Sequence, residues 1–242
     1  MPDLILDLRP NQVLRCLGYG GRRKPSARVE GRLAALWEEA VGLLAPRGEF
    51  RVVARADAAR AGMPTPAETV GLGLCTAGGA LEEESRRRSE EGAPLDALIL
   101  DAVGSAAAEA AADALNGLLC AEAGRLGLYA ARRVSPGYGK WDVRGQAELL
   151  ALLPARDLGV SLTEGLMMIP RKSVSFAVNF LKSRPRGYGD GSRCARCGLR
   201  SCPYAERDEL IPTTEDTETT EAICRGCDNR RASMTENGRA LL

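Results

Sequence analysis

An alanine-dense stretch from Leu95 to about Leu126 constrains the fold of this 242-residue chain more than any other segment. Strong helix formers occupy most of its positions, and Gly104-Ser105 is the one interruption. The stretch therefore predicts one long or broken helix that packs closely on its neighbours through small side chains. A chain of this length can bury one sizeable core, or can form one domain with a smaller appendage.

Shorter segments on both sides of this stretch have helical or strand-like patterns. Ser26 is a suitable N-cap for a helix whose apolar residues recur at helical spacing up to Leu44. The other assignments are helices over 81–91 and 146–156 and strands over 50–54, 128–134, 159–162 and 173–180. Strands that recur between helices without a regular βαβ rhythm predict an α+β domain with a mainly antiparallel sheet.

The glycine-containing segment from Val70 to Gly79 has the general look of a phosphate-binding loop. It does not match Gly-x-Gly-x-x-Gly, because Thr76 occupies the position of the third glycine. We therefore expect a buried strand that contains glycines and ends in a turn.

The chain contains no histidine, and this absence excludes several kinds of site. Imidazole bases, Ser-His-Asp triads and mixed Cys/His zinc sites are all ruled out. Histidine ligation of any metal is ruled out as well.

Charge and hydropathy limit the expected partners and location. The 33 basic and 32 acidic residues are interspersed and give a formal net charge of +1, which offers no broad field for nucleic acid or anionic lipid. No run of about twenty apolar residues is present to span a membrane. Asp3 and Asp7 stand where a secretory signal would carry positive charge, so we expect a cytoplasmic protein.

Five of the eight cysteines are concentrated near the end of the sequence: Cys194, Cys197, Cys202, Cys224 and Cys227. In a cytosolic protein such spacing favours metal ligation or redox chemistry over a disulfide framework. Two Cys-x-x-Cys pairs suit a zinc site with four thiolate ligands, and three close cysteines with a remote fourth suit a [4Fe–4S] cluster. Both assignments stay open, with iron–sulfur preferred. We expect Cys16, Cys75 and Cys120 to be small core residues.

Two polar blocks lie between residues 132 and 175. The first contains Arg133 and the turn residues Pro136, Gly137 and Tyr138, which together supply a planar cation, an approachable main chain and an aromatic face. The second block begins with Leu162-Thr163-Glu164, continues through Met168 and Pro170, and ends with Ser173-Val174-Ser175.

The order and distance of these blocks resemble the activation, or reactivation, domain of cobalamin-dependent methionine synthase. That family's signature is Arg-x-x-x-Gly-Tyr, followed about thirty residues later by Leu-Thr-Glu, Met-x-Pro and Ser-Val-Ser. The resemblance implies S-adenosylmethionine binding by the residues that match or adjoin the signature: Arg133, Pro136, Gly137, Tyr138 and Glu164. It implies no catalytic acid or base on this chain.

The chain departs from the large modular synthase after the tyrosine. Gly139-Lys140-Trp141-Asp142 stands where a Pro-Ala-Cys-Pro stretch is common, and a cysteine cluster replaces a later tyrosine-bearing segment. The chain looks more like stand-alone activation domains that act beside separate corrinoid proteins. Two other interpretations remain open: Arg133 pairs with a nearby carboxylate in a surface turn, and Glu164 caps a helix.

These observations predict an activation-like domain over residues 1–182 and a cysteine-rich metal or cluster-binding extension over 183–242. The expected function is an accessory one, in which bound S-adenosylmethionine supports reductive methylation of cob(II)alamin on a corrinoid protein or methionine synthase. A low-potential electron donor would take part. The alternatives are an iron–sulfur electron carrier to a corrinoid protein, and a zinc-bearing scaffold that joins a corrinoid protein to its methyltransferase.

Overall fold

The computed structural model describes residues 4–20 and 23–183. Its helices are α1 Pro10–Cys16, α2 Ala27–Gly42, α3 Arg55–Arg60, α4 Ala80–Glu90, α5 Pro94–Arg125 and α6 Gly145–Ala151. Its strands are β1 Arg47–Ala54, β2 Thr69–Thr76, β3 Tyr129–Val134, β4 Ser161–Leu162, β5 Met168–Ile169 and β6 Ser173–Leu181. The predicted helix over 146–156 is shorter than expected and ends at Ala151.

Four strands form one sheet in the order β1-β2-β6-β3, and every neighbouring pair is antiparallel. A separate two-stranded ladder joins β4 and β5. This architecture confirms the predicted α+β class with a mainly antiparallel sheet. Strand β6, the last of the described strands, lies between β2 and β3, so long crossovers bring together strands that are remote in sequence.

Helix α5 is the predicted alanine-dense helix, and it is unbroken over 32 residues. Gly104 does not interrupt it. A Cβ atom there would lie 3.1 Å from the Lys172 side chain and 3.3 Å from Leu81, so glycine leaves room for these two side chains. The N-terminal part of α5 packs with α1, α2 and α4. Its C-terminal part packs on the sheet through small residues such as Ala111, Ala112 and Ala123.

The sheet separates two apolar cores. On the α5 face, the Phe176, Val178 and Phe180 side chains of β6 pack against α5. On the opposite face, Ala177 and the even-numbered apolar residues of β2 pack against Trp141 and α6. This alternation along β6 follows the two-residue period of a strand, and both faces are covered.

Strand β2 confirms that the glycine-containing segment is a buried strand. Gly71 and Gly73 face α5, where β6 places two aromatic rings. A Cβ atom on Gly73 would lie 2.7 to 3.1 Å from three atoms of the Phe176 ring, and one on Gly71 would approach Leu119 and Phe180 equally closely. The glycines therefore provide space for aromatic side chains.

Ion pairs join helices α2 and α4 to the beginning of α5. The Asp96 carboxylate accepts hydrogen bonds from Arg32 of α2 at 2.5 Å and from Arg88 of α4 at 3.3 Å. The hydrogen bonds from Arg32 lower the pKa of Asp96, and the charges of both arginines act in the same direction. Within the part of the chain that the structure describes, no helix is long and apolar enough to cross a membrane.

Candidate functional site

Strand β3 pairs with only part of β6, so one end of β6 has no described strand partner on that side. The register runs from Tyr129 opposite Leu181 to Val134 opposite Ala177, with an irregularity between Ala130 and Arg133. Beyond Val134 the chain leaves the sheet, so the 173–176 part of β6 has no described strand on that side. We call this unpaired edge of β6, together with the nearby turns over 135–141 and 163–167, the sheet-end notch.

Arg133 lies beside the notch on the α5 face. Its Nη2 donates to Glu109 Oε2 at 2.7 Å and lies 3.3 Å from Asp113 Oδ1, and its Cζ lies 5.7 Å from the centroid of the Phe176 ring. The side chain is 21% exposed, and its buried Nη1 has no hydrogen-bond partner among the described residues. Arg133 is thus paired with carboxylates, as one of the two interpretations expected, and one nitrogen of its fork remains unsatisfied.

The Gly-Tyr turn directly follows β3. Gly137 has φ of +88°, which favours glycine, and its N–H donates to the Trp141 carbonyl at 2.8 Å. Pro136 is buried, whereas Tyr138 is 74% exposed. The buried Trp141 indole donates to the Ala61 carbonyl at 2.8 Å and so fixes the far end of the turn to the domain.

Glu164 lies in the turn between β4 and β5 and is exposed. The Thr163 N–H donates to the Met167 carbonyl, the Leu166 N–H to the Thr163 carbonyl and the Met167 N–H to Thr163 Oγ1. No described helix begins in this region, so the helix-capping interpretation of Glu164 is wrong. Leu166 has φ of +62° and is the one described non-glycine residue with a positive φ.

Gln146 holds the β4–β5 turn against β6, and sequence reasoning did not identify it. Its buried Nε2 donates to the Leu166 carbonyl at 2.7 Å, and its Oε1 lies 3.4 Å from the Ser175 hydroxyl. Ser175 precedes Phe176, which lies beneath the Arg133 guanidinium. Ser175 and Phe176 are consecutive in β6, and their side chains lie on opposite faces of the sheet. Arg133 therefore lies on one face, and the β4–β5 turn is held on the other.

The Ser-Val-Ser motif in the sequence could have indicated that the loop before β6 is held by buried hydroxyl groups. In a strand, Ser173 and Ser175 share one face, and a buried hydroxyl needs a polar partner. Ser173 Oγ lies 2.7 Å from the Pro170 carbonyl oxygen and 2.9 Å from Thr76 Oγ1, and Ser175 Oγ faces Gln146. The motif thus fixes the loop that enters β6.

The described cysteines are buried or half-buried thiols. Burial raises the pKa of Cys75 to about 12 and also raises the pKa of Cys16. Cys120 is buried on α5. Within 4–20 and 23–183, no group of three or more Cys, Asp or Glu residues is arranged to hold a metal ion. The predicted metal ligands, Cys194, Cys197, Cys202, Cys224 and Cys227, lie outside the described residues.

Comparisons with known proteins bear on the fold. No protein-family profile matches the chain. No curated protein sequence matches it either. Among solved structures, it is similar to the crystal structure of the MetH reactivation domain bound to AdoHcy, with a TM-score of 0.54 and 16% sequence identity over 70% of this chain and 73% of that one. The described domain therefore has a fold like that of the MetH reactivation domain.

Proposed function

We propose that this chain binds S-adenosylmethionine in the sheet-end notch. The observation that carries the proposal is the meeting of both polar blocks at Ser175 and Phe176 of β6, beside an arginine with an unsatisfied nitrogen. The similar solved structure supports it, because that domain was crystallised with AdoHcy, the product that S-adenosylmethionine becomes when it loses its methyl group.

Each residue has a role that its chemistry suits. Nη1, the nitrogen of Arg133 that lacks a partner among the described residues, would donate a charge-assisted hydrogen bond to the ligand carboxylate once ligand binding uncovers this buried atom, while Nη2 stays on Glu109. The Pro136-Gly137 turn lets the ligand approach the main chain, and the exposed Tyr138 offers a ring face and a hydroxyl. Glu164 would accept hydrogen bonds from the ribose or the ammonium group.

The proposed reaction is reactivation of a corrinoid protein. Cob(II)alamin on a partner accepts one electron from a low-potential donor and becomes cob(I)alamin. The cobalt then attacks the methyl carbon of bound S-adenosylmethionine: a Co–C bond forms, the S–CH₃ bond breaks, and AdoHcy leaves. Reduction is uphill, and methyl transfer removes its product, so the two steps together proceed. No acid or base on this chain is required, and we assign none.

Exposed apolar side chains on the segments that form the notch suit docking of a corrinoid protein or a methionine synthase. They are Val134, Tyr138, Val143, Met167 and Ile169, each at least 40% exposed. A group of exposed large apolar residues marks an interaction surface more often than chance. The charge balance of the chain gives no reason to expect nucleic acid or a membrane as a partner.

We further propose that residues 183–242 are a separate extension whose cysteines hold a [4Fe–4S] cluster or zinc, and that the protein works in the cytoplasm. The support for the metal is cysteine spacing alone. Anaerobic purification with iron, sulfide and zinc analysis distinguishes the two. A redox-active cluster without S-adenosylmethionine binding would support an electron carrier, and stoichiometric zinc without binding would support a scaffold.

Calorimetric titration of S-adenosylmethionine into the full chain tests the binding proposal. We expect Arg133→Ala to weaken binding by about 2 to 3 kcal/mol, or roughly 30- to 150-fold in Kd, because a charge-assisted hydrogen bond is lost. The matched control is Arg51→Ala, an exposed arginine on the opposite edge strand. It should leave the affinity unchanged. Equal affinity in wild type and Arg133→Ala, with the fold intact, would remove Arg133 from the site.

A further inference from the structure

We propose that Gln146 is a positioning residue that couples the Gly-Tyr turn to the Glu164 turn and sets their spacing for the ligand. The proposal rests on the proposed S-adenosylmethionine site and adds to it a residue that contacts no ligand. Its physical content is that one buried amide holds the Glu164 turn against β6, and that the position of this amide follows the end of the Gly-Tyr turn.

The geometry of the Gln146 amide supports this role. The side chain is buried, at 8% exposure of the residue, and both ends of its amide are engaged. Nε2 donates to the Leu166 carbonyl, and Oε1 faces the Ser175 hydroxyl. One partner needs a donor and the other an acceptor. Leucine supplies neither group and an ionised glutamate lacks the donor, so glutamine suits both contacts.

The position of Gln146 is itself fixed by the Gly-Tyr turn. Gln146 is the second residue of α6, and the preceding Gly145 lies so close to the Ala61 carbonyl and the Trp141 indole that a Cβ atom would collide with both. The same Ala61 carbonyl accepts the Trp141 hydrogen bond that anchors the turn. A displacement of the turn therefore moves Gln146, and Gln146 moves Leu166.

The Leu166 backbone is held in a conformation that it does not prefer. Its φ of +62° places Cβ near the following carbonyl, and such residues persist where the surrounding structure holds them. Gln146 binds the carbonyl of this residue. Loss of that bond should let the Thr163–Met167 turn relax and move Glu164 away from the notch.

Gln146→Leu removes both hydrogen bonds at similar volume, and a double-mutant cycle with Glu164→Ala tests whether it acts through the turn. We expect Gln146→Leu to weaken S-adenosylmethionine about tenfold in the wild-type background and less than twofold when Glu164 is already alanine. The control is Thr65→Val, which removes the hydrogen bond from half-buried Thr65 to Asn179 on the same sheet face. It should lower the melting temperature without changing affinity.

Amide hydrogen exchange of Leu166 and Met167 provides a second readout that needs no ligand. Both amides are hydrogen-bonded to Thr163 within the turn, so Gln146→Leu should speed their exchange at least tenfold while Thr65→Val does not. Equal affinity loss in both Glu164 backgrounds, or unchanged exchange, would overturn the positioning role. Absence of S-adenosylmethionine binding in wild type would refute the proposed function, and the exchange result would then decide the positioning claim by itself.

Discussion

At the scale of single residues, Gly73 of β2 determines whether the Phe176 ring can lie beneath Arg133. Gly73 leaves room for the Phe176 ring, and Arg133 lies over that ring at 5.7 Å. A glycine in a strand usually weakens it, yet here close approach of an aromatic ring requires one. The segment that looked like a phosphate loop thus supports the candidate site from beneath.

Gly73→Ala should displace the Phe176 ring and so disturb both packing and ligand binding. We expect the free energy of unfolding to fall by about 1 to 3 kcal/mol, because the added methyl group overpacks a filled core. Urea denaturation and S-adenosylmethionine titration measure the two effects. Gly117→Ala on α5 is the control, since no atom lies within 4 Å of the position that its Cβ would take. A Gly73→Ala protein as stable as wild type would show that the ring has room to move.

Arg133, Gly137 and Tyr138 were selected from the sequence through the family signature and stay predictions as ligand contacts, whereas their partners were not predictable. The φ of +88° at Gly137 gives a physical reason for glycine at that position of the signature. Glu109 and Asp113 were missed, because their pairing with Arg133 depends on how α5 is rotated against the sheet. Gln146 was missed for the same reason: its partners are 20 and 29 residues away.

At the scale of secondary structure, α5 shows which predictions local sequence supports. Its helix formers were sufficient to predict a long or broken helix from Leu95 to about Leu126, and the structure has one unbroken helix from Pro94 to Arg125. The helix expected over 146–156 failed at its C-terminal end, where Pro154 cannot continue the hydrogen-bonding pattern. The strand order was not predictable, because β6 enters between β2 and β3 through contacts that no short window of sequence contains.

The ion pairs at the start of α5 predict a pH-dependent contribution to stability. Since the pKa of Asp96 is lowered in the folded state, its carboxylate stabilises the fold above the ordinary carboxyl pKa of about 4, and this contribution is lost as the pH falls through the lower folded value. We expect Asp96→Asn to cost about 1 to 2 kcal/mol at pH 7, limited by the 41% exposure of the Arg32 side chain.

Denaturation of wild type and Asp96→Asn at several pH values checks this contribution. The difference between the two proteins should be largest near neutral pH and should narrow below about pH 4. Asp157→Asn changes an exposed carboxylate outside these helices, and its free energy of unfolding should equal that of wild type at every pH tested. A gap that stayed constant down to pH 2 would assign the effect to packing rather than to charge.

At the scale of the whole molecule, the described domain buries apolar side chains on both faces of one sheet and exposes a few others at one end, around the notch. Its similarity to the MetH reactivation domain covers most of the chain, although only 16% of the residues are identical. Packing can preserve such a fold through volume and periodicity, while a ligand site depends on a few individual residues.

A crystal structure of the full chain grown with S-adenosylmethionine tests the central claim most directly. We predict electron density for the ligand in the sheet-end notch, with its carboxylate within hydrogen-bond distance of Arg133 and its other atoms along the Gly137-Tyr138 turn. An occupied site elsewhere in the molecule, or an empty notch at ligand concentrations that saturate binding in solution, would contradict it.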